Sequence, residues 1–145
     1  MAFLSSFNIA ASGLTAQRLR MDIIGENITN INTTRTEDGG PYRRKMVVLQ
    51  SVERSSFRNV LDKRIQRGRE VGVKVSQIVE DESPFQPVYN PEHPDADENG
   101  YVWMPNVDLL KETIDSMAAS RAYEASLTAF NAIKHMAQKA LELGR

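Results

Sequence analysis

The chain has no cysteine among its 145 residues. This absence excludes disulfide bonds, catalysis by a thiol and metal sites built from thiolates. It leaves the compartment open, because a chain without cysteine suits reducing and oxidising surroundings equally. With 41% apolar and 26% charged residues, the chain is long enough for one domain with a modest core.

The chain also lacks a large net charge, a long apolar run and a signal-like start. Its formal net charge is -1, whereas a nucleic-acid-binding protein needs a substantial cationic surface. No window reaches the roughly 18 apolar residues of a membrane span. The N-terminal stretch lacks the basic start and unbroken apolar run of a cleavable signal. We therefore expect that the protein does not bind nucleic acid and is not an integral membrane protein. We also expect its N-terminal segment to remain in the mature chain.

The spacing of apolar residues predicts a helix from about residue 2 to residue 32. Apolar residues recur in alternating steps of three and four, interrupted only by Arg18 and Gly25, which is the spacing of a coiled-coil seam. Further isoleucines and a leucine lie off this seam, so the apolar surface is wider than one partner helix would cover. The N-terminal seam consists of Leu4, Phe7, Ala11, Leu14, Met21 and Ile28, and the off-seam residues are Ile9, Leu19, Ile23, Ile24 and Ile31.

A second long helix is predicted from about residue 106 to residue 143. Asn106 or Asp108 is the expected cap after Pro105, and Gly144 is the expected stop. Many alanines and serines separate its apolar positions, and small residues allow other helices to approach closely. We expect this helix to be surrounded by others. Its first stripe holds Leu110, Ile114 and Met117, and its second holds Tyr123, Leu127, Phe130 and Leu141 with Ile133 and Met136 beside it.

The middle of the chain, residues 33–105, has a different texture and is predicted to be a small β-rich insert. The stretches YRRKMVVLQSV and VGVKVSQIVED are rich in β-branched residues and predict two strands. Together with the terminal helices, which we expect to form one helical core from residues 1–32 and 106–145, this predicts an α+β fold.

Two segments of opposite charge lie in this insert. Residues 53–70, the basic segment, hold six Lys or Arg and three Asp or Glu, for a net charge of 6 - 3 = +3. Residues 80–98, the acidic segment, hold seven Asp or Glu and no Lys or Arg. The basic segment lacks the interleaved aromatic residues of a nucleic-acid site, so it reads as a solvated loop or as a contact for an acidic neighbour. If copies pack in an array, we expect the basic segment of one to meet the acidic segment of the next.

The end of the acidic segment and the two residues after it read DADENG, residues 95–100, which begins like the loop of an EF-hand calcium site. An EF-hand needs a bidentate glutamate at the twelfth position, and this chain has asparagine there, preceded by proline. Prolines also stand where the entering helix should be. We interpret Asn99-Gly100 as a hairpin turn and YVWM as the strand that leaves it. The residues of this turn motif are Asp95, Asp97, Gly100, Tyr101, Pro105 and Asn106.

No active site is predicted. His93 and His135 have no ligand spacing to another histidine, no serine has a nucleophile-elbow context, and no glycine pattern forms a phosphate loop. We therefore expect no enzyme, no metal and no cofactor. A calcium- or partner-binding adaptor, with the acidic segment as its ligand site, is the alternative from another functional class, and a catalytic role comes third.

Two stretches of the chain resemble known proteins. HPDADENGYVWMPNVD, followed by ASRAYEASLTAFNAIKHMAQKALELG, resembles the proximal-rod proteins of the bacterial flagellar basal body. ASGLTAQRLRMDIIGENITNINT is similar to the N-terminal segment that flagellar rod and hook proteins share. The resemblance covers nearly the whole chain and is weakest over the basic segment. Thr29 and Ser126 depart from the alanine and asparagine that are commoner there.

The resemblance implies a structural subunit that transmits torque and forms part of the channel-lining axial structure. Such proteins leave the cytoplasm through the flagellar type III export apparatus without signal cleavage and assemble in the periplasmic rod. The implied partners are that apparatus, other rod proteins and copies of the chain itself. Rod subunits pack their terminal helices as coiled coils with neighbours, so we expect the assembly interface to consist of the seam residues other than Ala11, together with Ile24 and both stripes. We also expect residues 1–31 and 106–145 to be mobile until assembly.

Overall fold

The computed structural model describes residues 2–37, 39–53 and 71–143 of the chain. The predicted α+β class is confirmed, because two long terminal helices flank a β insert made of two small sheets. None of the helices in these ranges is long and apolar enough to cross a membrane. The elements in chain order are α1 (Ala2–Thr29), β1 (Lys45–Glu53), β2 (Val71–Glu80), β3 (Gln86–Tyr89), β4 (Tyr101–Met104) and α2 (Leu109–Leu143).

The two helices pack against each other and run antiparallel. Near the start of α1, the Phe7 ring meets the Phe130 ring edge to face, with centroids 4.9 Å apart. Near the end of α1, the Asn27 amide donates a hydrogen bond to Glu112 in the first turn of α2. The beginning of each helix therefore lies beside the end of the other, and the β insert emerges where α1 ends and α2 begins.

Small residues set the distance between the helices. Ala16 and Ala119 are buried, and Ala119 is 0% exposed. A Cβ atom added at Gly13 would lie 3.3 Å from the Ser126 hydroxyl oxygen, so the two backbones approach closely there as well. The predicted close approach at small residues is confirmed on the side of α2 that faces α1.

Replacing Ala119 with leucine should therefore destabilise the fold, because α2 would have to move away from α1 to admit the larger side chain. We expect a loss of about 1–3 kcal/mol in the free energy of unfolding. Ala118→Leu is the matched control, since Ala118 is the preceding residue on α2 and is exposed; its effect should stay within about 0.5 kcal/mol. Urea denaturation followed by circular dichroism measures both, and equal midpoints would contradict the tight contact at Ala119.

The two predicted strands of the insert are confirmed as β1 and β2, which pair antiparallel from Lys45 opposite Glu80 outward. The register shifts by one residue between Val48 and Leu49, so the hairpin contains a β-bulge. The hairpin lies along α1, and near its outer end the Val73 amide donates to the Ser12 hydroxyl oxygen at 3.1 Å. The basic segment beyond β1, from residue 54 to residue 70, lies outside the described residues.

The start of α2 decides between the two candidate caps. The Asp108 carboxylate accepts a hydrogen bond from the Leu110 amide at 2.9 Å, and therefore caps the helix. Asn106 has another role, described below, and the predicted stop at Gly144 lies outside the described residues. At the other end of the core, α1 ends at Thr29, slightly earlier than predicted, because a turn follows it.

Candidate functional site

A buried polar cluster joins the two helices to the insert. We call it the junction cluster, and Glu112 and Asn27 are its centre, at 0% and 1% exposure. One carboxylate oxygen of Glu112 accepts from Arg44 Nε at 2.6 Å and the other accepts from Asn27 Nδ2 at 3.0 Å. A buried carboxylate is tolerated only when it is paired and hydrogen-bonded in this way. The cluster consists of Asn27, Tyr42, Arg44, Asp81, Asn106, Glu112 and Asp115.

Asn27 connects α1 to the first residue of β1. Its Oδ1 accepts from the Lys45 amide at 2.9 Å, and its Nδ2 donates to the Lys45 carbonyl at 2.9 Å. The same Oδ1 accepts from the Tyr42 hydroxyl at 3.0 Å. The side chain thus bonds the Lys45 backbone as a neighbouring strand would, which fixes the insert on the end of α1.

Asn106 plays the corresponding role ahead of α2. Its Oδ1 accepts from the Arg44 amide at 2.9 Å, and its Nδ2 donates to the carbonyls of Asp81 and Ser83 at 2.9 and 3.1 Å. Pro105, which precedes it, is buried. Asn106, which stands where an EF-hand has its glutamate, therefore bonds the end of the turn motif to the residues beside β1 and β2.

The Arg44 guanidinium holds three carboxylates together. Besides Glu112 it lies 3.6 Å from an oxygen of Asp81 and 3.4 Å from an oxygen of Asp115. Hydrogen bonds from Ser83, with a smaller contribution from Arg44, lower the pKa of Asp81, so this carboxylate stays charged well into the acid range. Three acidic side chains and one arginine make the cluster dependent on that arginine.

Tyr42 is held in its neutral, hydrogen-donating form. Burial, and then the negative charges of Glu26 and Glu112, raise the pKa of Tyr42 to about 12. Its hydroxyl therefore keeps donating to Asn27 throughout the physiological pH range. Within the junction cluster, Tyr42 thus stays a hydrogen-bond donor and Asp81 a charged acceptor.

The turn predicted at Asn99-Gly100 is present, but its form differs from a two-residue hairpin turn. The Gly100 amide donates to the Asp97 carbonyl and the Asp97 amide to the Tyr101 carbonyl, both at 2.8 Å. Gly100 has a φ of 78°, and no residue other than glycine has a positive φ in the described part of the chain. The turn is thus closed by a glycine bulge, and β3 and β4 are joined by the whole of residues 90–100.

The aspartates of the turn motif hold the loop in place. Asp95 accepts from the Thr34 hydroxyl at 2.8 Å, and Asp97 accepts from the Trp103 indole N–H at 2.6 Å. Within residues 2–37, 39–53 and 71–143, no three His, Asp or Glu side chains come together as metal ligands would. In this structure the aspartates act as hydrogen-bond acceptors that connect the loop to the rest of the insert.

The predicted interface residues of α1 are only partly covered within the subunit. Ile24 is buried, whereas the seam residues Phe7, Leu14, Met21 and Ile28 are half-buried. The side chain of Leu4 lies outside the described residues. The best-buried apolar side chains of the helix, Ala16, Ile23 and Ile24, lie off the seam. Helix α2 and the β1–β2 hairpin thus cover the face beside the seam and leave the seam itself half open.

On α2 the predicted interface residues are mostly uncovered. The first stripe, Leu110, Ile114 and Met117, is more than half exposed, with Ile114 at 58%. In the second stripe the exposed residues are Leu127, Met136 and Leu141, whereas the half-buried ones are Tyr123, Phe130 and Ile133. Helix α2 therefore presents large apolar side chains on faces that α1 does not reach.

Sequence reasoning missed the junction cluster. A signal for it was present, because Asn27 follows Ile23 and Ile24 by four and three residues and so lies on their buried face. A buried polar side chain needs partners. No local pattern in the sequence indicates that those partners are Arg44 and Glu112, which are far away in the chain.

Two models of flagellar rod protein families match parts of the chain. Residues 7–35 match the family described as flagella basal body rod protein, and residues 98–143 match the C-terminal family of the flagellar basal body rod FlgEFG proteins. Neither is a catalytic family. The matched ranges contain most of the two helices and the strand β4.

Several relatives that match over nearly their whole length are flagellar basal-body rod proteins named FlgC. The flagellar basal-body rod protein FlgC of Bacillus subtilis is 48% identical over 151 residues, with 100% of both chains covered. FlgC of Borreliella burgdorferi is 43% identical, covering 99% of this chain and 98% of that protein, and FlgC of Salmonella typhimurium is 40% identical over 100% of both. On this evidence the chain belongs to the FlgC family of flagellar basal-body rod proteins, structural subunits of the basal body.

Proposed function

We propose that the subunit joins the rod through its terminal helices, which pack against neighbouring rod proteins and copies of itself, and that it transmits torque as part of the axial structure lining the export channel. In this proposal residues 1–32 and 106–145 form the helical core and residues 33–105 form the insert. The observation that carries it is the first stripe of α2, whose residues Leu110, Ile114 and Met117 are exposed in a single subunit.

The energetics of this stripe favour assembly. Soluble monomers rarely expose large contiguous apolar surface, and such surface marks an interaction site. Burying one leucine, isoleucine or methionine side chain contributes about 1.5–3 kcal/mol. Several of them on each subunit, repeated along the rod, supply a stable contact without any polar bond. The half-open seam on α1 offers a second surface of the same kind.

The junction cluster supports the proposed role in transmitting torque. Torque that enters through the helices reaches the insert only if the connection between them is stiff. Arg44, Asn27 and Glu112 connect both helices and the insert with buried hydrogen bonds, and each of these bonds fixes a direction as well as a distance. An apolar contact alone would allow the insert to turn on the helices.

The proposed route to the rod is export through the flagellar type III apparatus, without signal cleavage, into the periplasm. Long helices gain most of their stability from tertiary packing, so a subunit with uncovered stripes is poorly stabilised before assembly. We propose that the mobile parts are the helix ends away from the junction cluster, residues 2–15 and 127–143, within the wider expected ranges 1–31 and 106–145. The other ends of the two helices are joined in the junction cluster by the bond between Asn27 and Glu112. Export of a loosely folded chain fits this arrangement.

Hydrogen exchange read by mass spectrometry tests the proposal on the dilute subunit, with and without calcium, and on assembled rods. We expect fast exchange in residues 2–15 and 127–143, slow exchange in β1, β2 and around the junction cluster, and no response to calcium. In the rod both ends should become slow, because neighbours cover them.

Two outcomes would contradict this proposal. Outer helix ends that are as protected as β1 and β2 in the dilute subunit would mean that folding does not wait for assembly. Calcium-dependent slowing within residues 95–106 would instead support the adaptor interpretation. Mass spectrometry of the intact chain from purified basal bodies checks in the same preparation that the N-terminus is retained.

A further inference from the structure

The hairpin of β3 and β4 has an apolar face that is left exposed by the part of the chain that the structure describes. Tyr89 pairs with Tyr101 and Pro87 with Trp103. Since paired and alternate residues share one side of a sheet, these four side chains lie together, and we call them the aromatic face. All four are exposed, Tyr89 at 65%. The opposite side of the hairpin carries Val102, which is 2% exposed.

One carboxylate lies at the edge of the aromatic face, and two more belong to the loop that joins its strands. Asp97 accepts a hydrogen bond from the Trp103 ring, which places its charge at the ring edge. Glu92 and Glu98 are exposed in the loop that joins the strands, and no Lys or Arg of the described ranges forms an ion pair with either. Arginine suits such a surface, because its guanidinium both stacks on aromatic rings and pairs with carboxylates.

The chain itself supplies a partner of this chemistry. The basic segment, residues 53–70, has a net charge of +3 and six cationic side chains, five of them arginine. We infer that the aromatic face, with Asp97 and the acidic loop between its strands, docks the basic segment of a second copy of this chain. The contact would pair the basic segment with the acidic segment, whose opposite charges largely cancel in the chain's net charge of -1.

The positions of the two surfaces favour a second copy over the subunit's own segment. Strand β1 runs away from the junction cluster, and the eight steps from Lys45 to Glu53 cover about 27 Å at 3.4 Å each. The aromatic face lies at the other end, where Thr34, just after α1, bonds Asp95. Residues 54–70 connect Glu53 to Val71, which are paired at the end of the hairpin. Because half of the segment must lead out and half must lead back, none of its residues can lie more than about 30 Å from that end. Only a nearly fully extended segment would touch its own subunit's face.

This contact is heterologous, because the basic segment of one copy meets the aromatic face of the next. Each pair of copies therefore has one basic segment and one aromatic face left to bind further copies. Contacts of this kind build rings or open helical arrays instead of two-fold dimers. The inference rests on the proposed function only in needing neighbouring copies. Opposite charges across such a contact mainly set orientation and register, while the apolar helices supply affinity.

The only tryptophan of the chain, Trp103, lies in the aromatic face and reports on it directly. We would titrate the full chain with a synthetic peptide of residues 53–70 and follow the tryptophan emission. The expected result is a saturable change that weakens at least tenfold between low and high salt. A peptide with its six cationic residues changed to glutamine should bind at least tenfold more weakly, as should the native peptide with the variant Glu92→Gln/Glu98→Gln. Equal responses to both peptides, or no response, would overturn the inference.

Mixing two charge-reversed chains separates a second copy from the subunit's own segment. Glu92→Lys/Glu98→Lys reverses the face, and Arg58→Glu/Arg64→Glu reverses the segment. Each chain alone should give few carbodiimide cross-links between face and segment, and a mixture of isotopically labelled and unlabelled chains should give many between different chains. Cross-links confined to single chains would overturn the inference. The peptide titration is repeated on the variant Ile114→Asp, which we expect to be unable to enter rods. Unchanged peptide binding by this variant would show that docking at the aromatic face does not depend on the proposed packing of the helices.

Discussion

A subunit in which Ile114 is replaced by aspartate should fold like the parent chain and fail to enter the rod. Ile114 is 58% exposed in the middle of the first stripe of α2, so the change leaves the packing of the subunit itself nearly untouched. In the assembled rod the same position would be buried against a neighbour, and an unpaired carboxylate there costs several kcal/mol. Since every copy carries the change, the cost repeats at each contact.

Motility and the yield of complete basal bodies measure the effect in a bacterium whose own copy of the gene is replaced. We expect loss of swimming and of rods with Ile114→Asp, and near-normal values with the control Ile114→Leu, which keeps an apolar side chain of the same size. Urea denaturation of the purified variants should give stabilities within about 0.5 kcal/mol of the parent. Normal swimming with Ile114→Asp would remove the first stripe from the assembly interface.

Ile114 is a cleaner site for this test than Leu127 in the second stripe. Leu127 is 40% exposed, so α1 already covers much of it, and an aspartate there would also weaken the contact between the helices. A failure to assemble would then have two explanations. The exposed stripe separates assembly from folding because its side chains contribute little to the isolated subunit.

Replacing Arg44 with methionine should lower the free energy of unfolding by about 3–5 kcal/mol, because the change leaves Glu112 charged and without its strongest partner in a site that is 0% exposed. Asp81 and Asp115 would lose the same guanidinium. A loss of this size is a large part of the whole stability of a domain.

The matched control is Arg20→Met, which removes an arginine that also pairs with Asp115, at 3.6 Å, but on a partly exposed surface. Its effect should be below about 1 kcal/mol. Adding Glu112→Gln to Arg44→Met should recover part of the loss, because it removes the buried charge while keeping a group that Asn27 can bond. Urea denaturation measures all three. Similar losses for Arg20→Met and Arg44→Met would show that burial does not control the strength of the pair.

The turn motif shows both the reach and the limit of sequence reasoning. The missing glutamate at the twelfth position and the prolines upstream argued against an EF-hand, and Gly100 correctly marked the turn. Two-residue Asn-Gly turns require positive φ at both residues. The ring of Tyr89 and the bond between Asp97 and Tyr101 lead instead to a turn in which only Gly100 is left-handed. These contacts arise when the strands pair, so the local sequence did not contain them.

The sequence by itself determined the two helices, the strands β1, β2 and β4, and the family, because these depend on periodicity and on motifs read within short windows. Only the tertiary structure decided that Asn27, Arg44 and Glu112 meet, that α1 buries Ile23 and Ala16 beside its seam, and which stripe of α2 stays exposed. The physical reason is that periodicity reveals an apolar face but not what covers it. Burial and ion pairing depend on residues that lie far apart in the chain and come together only when it folds.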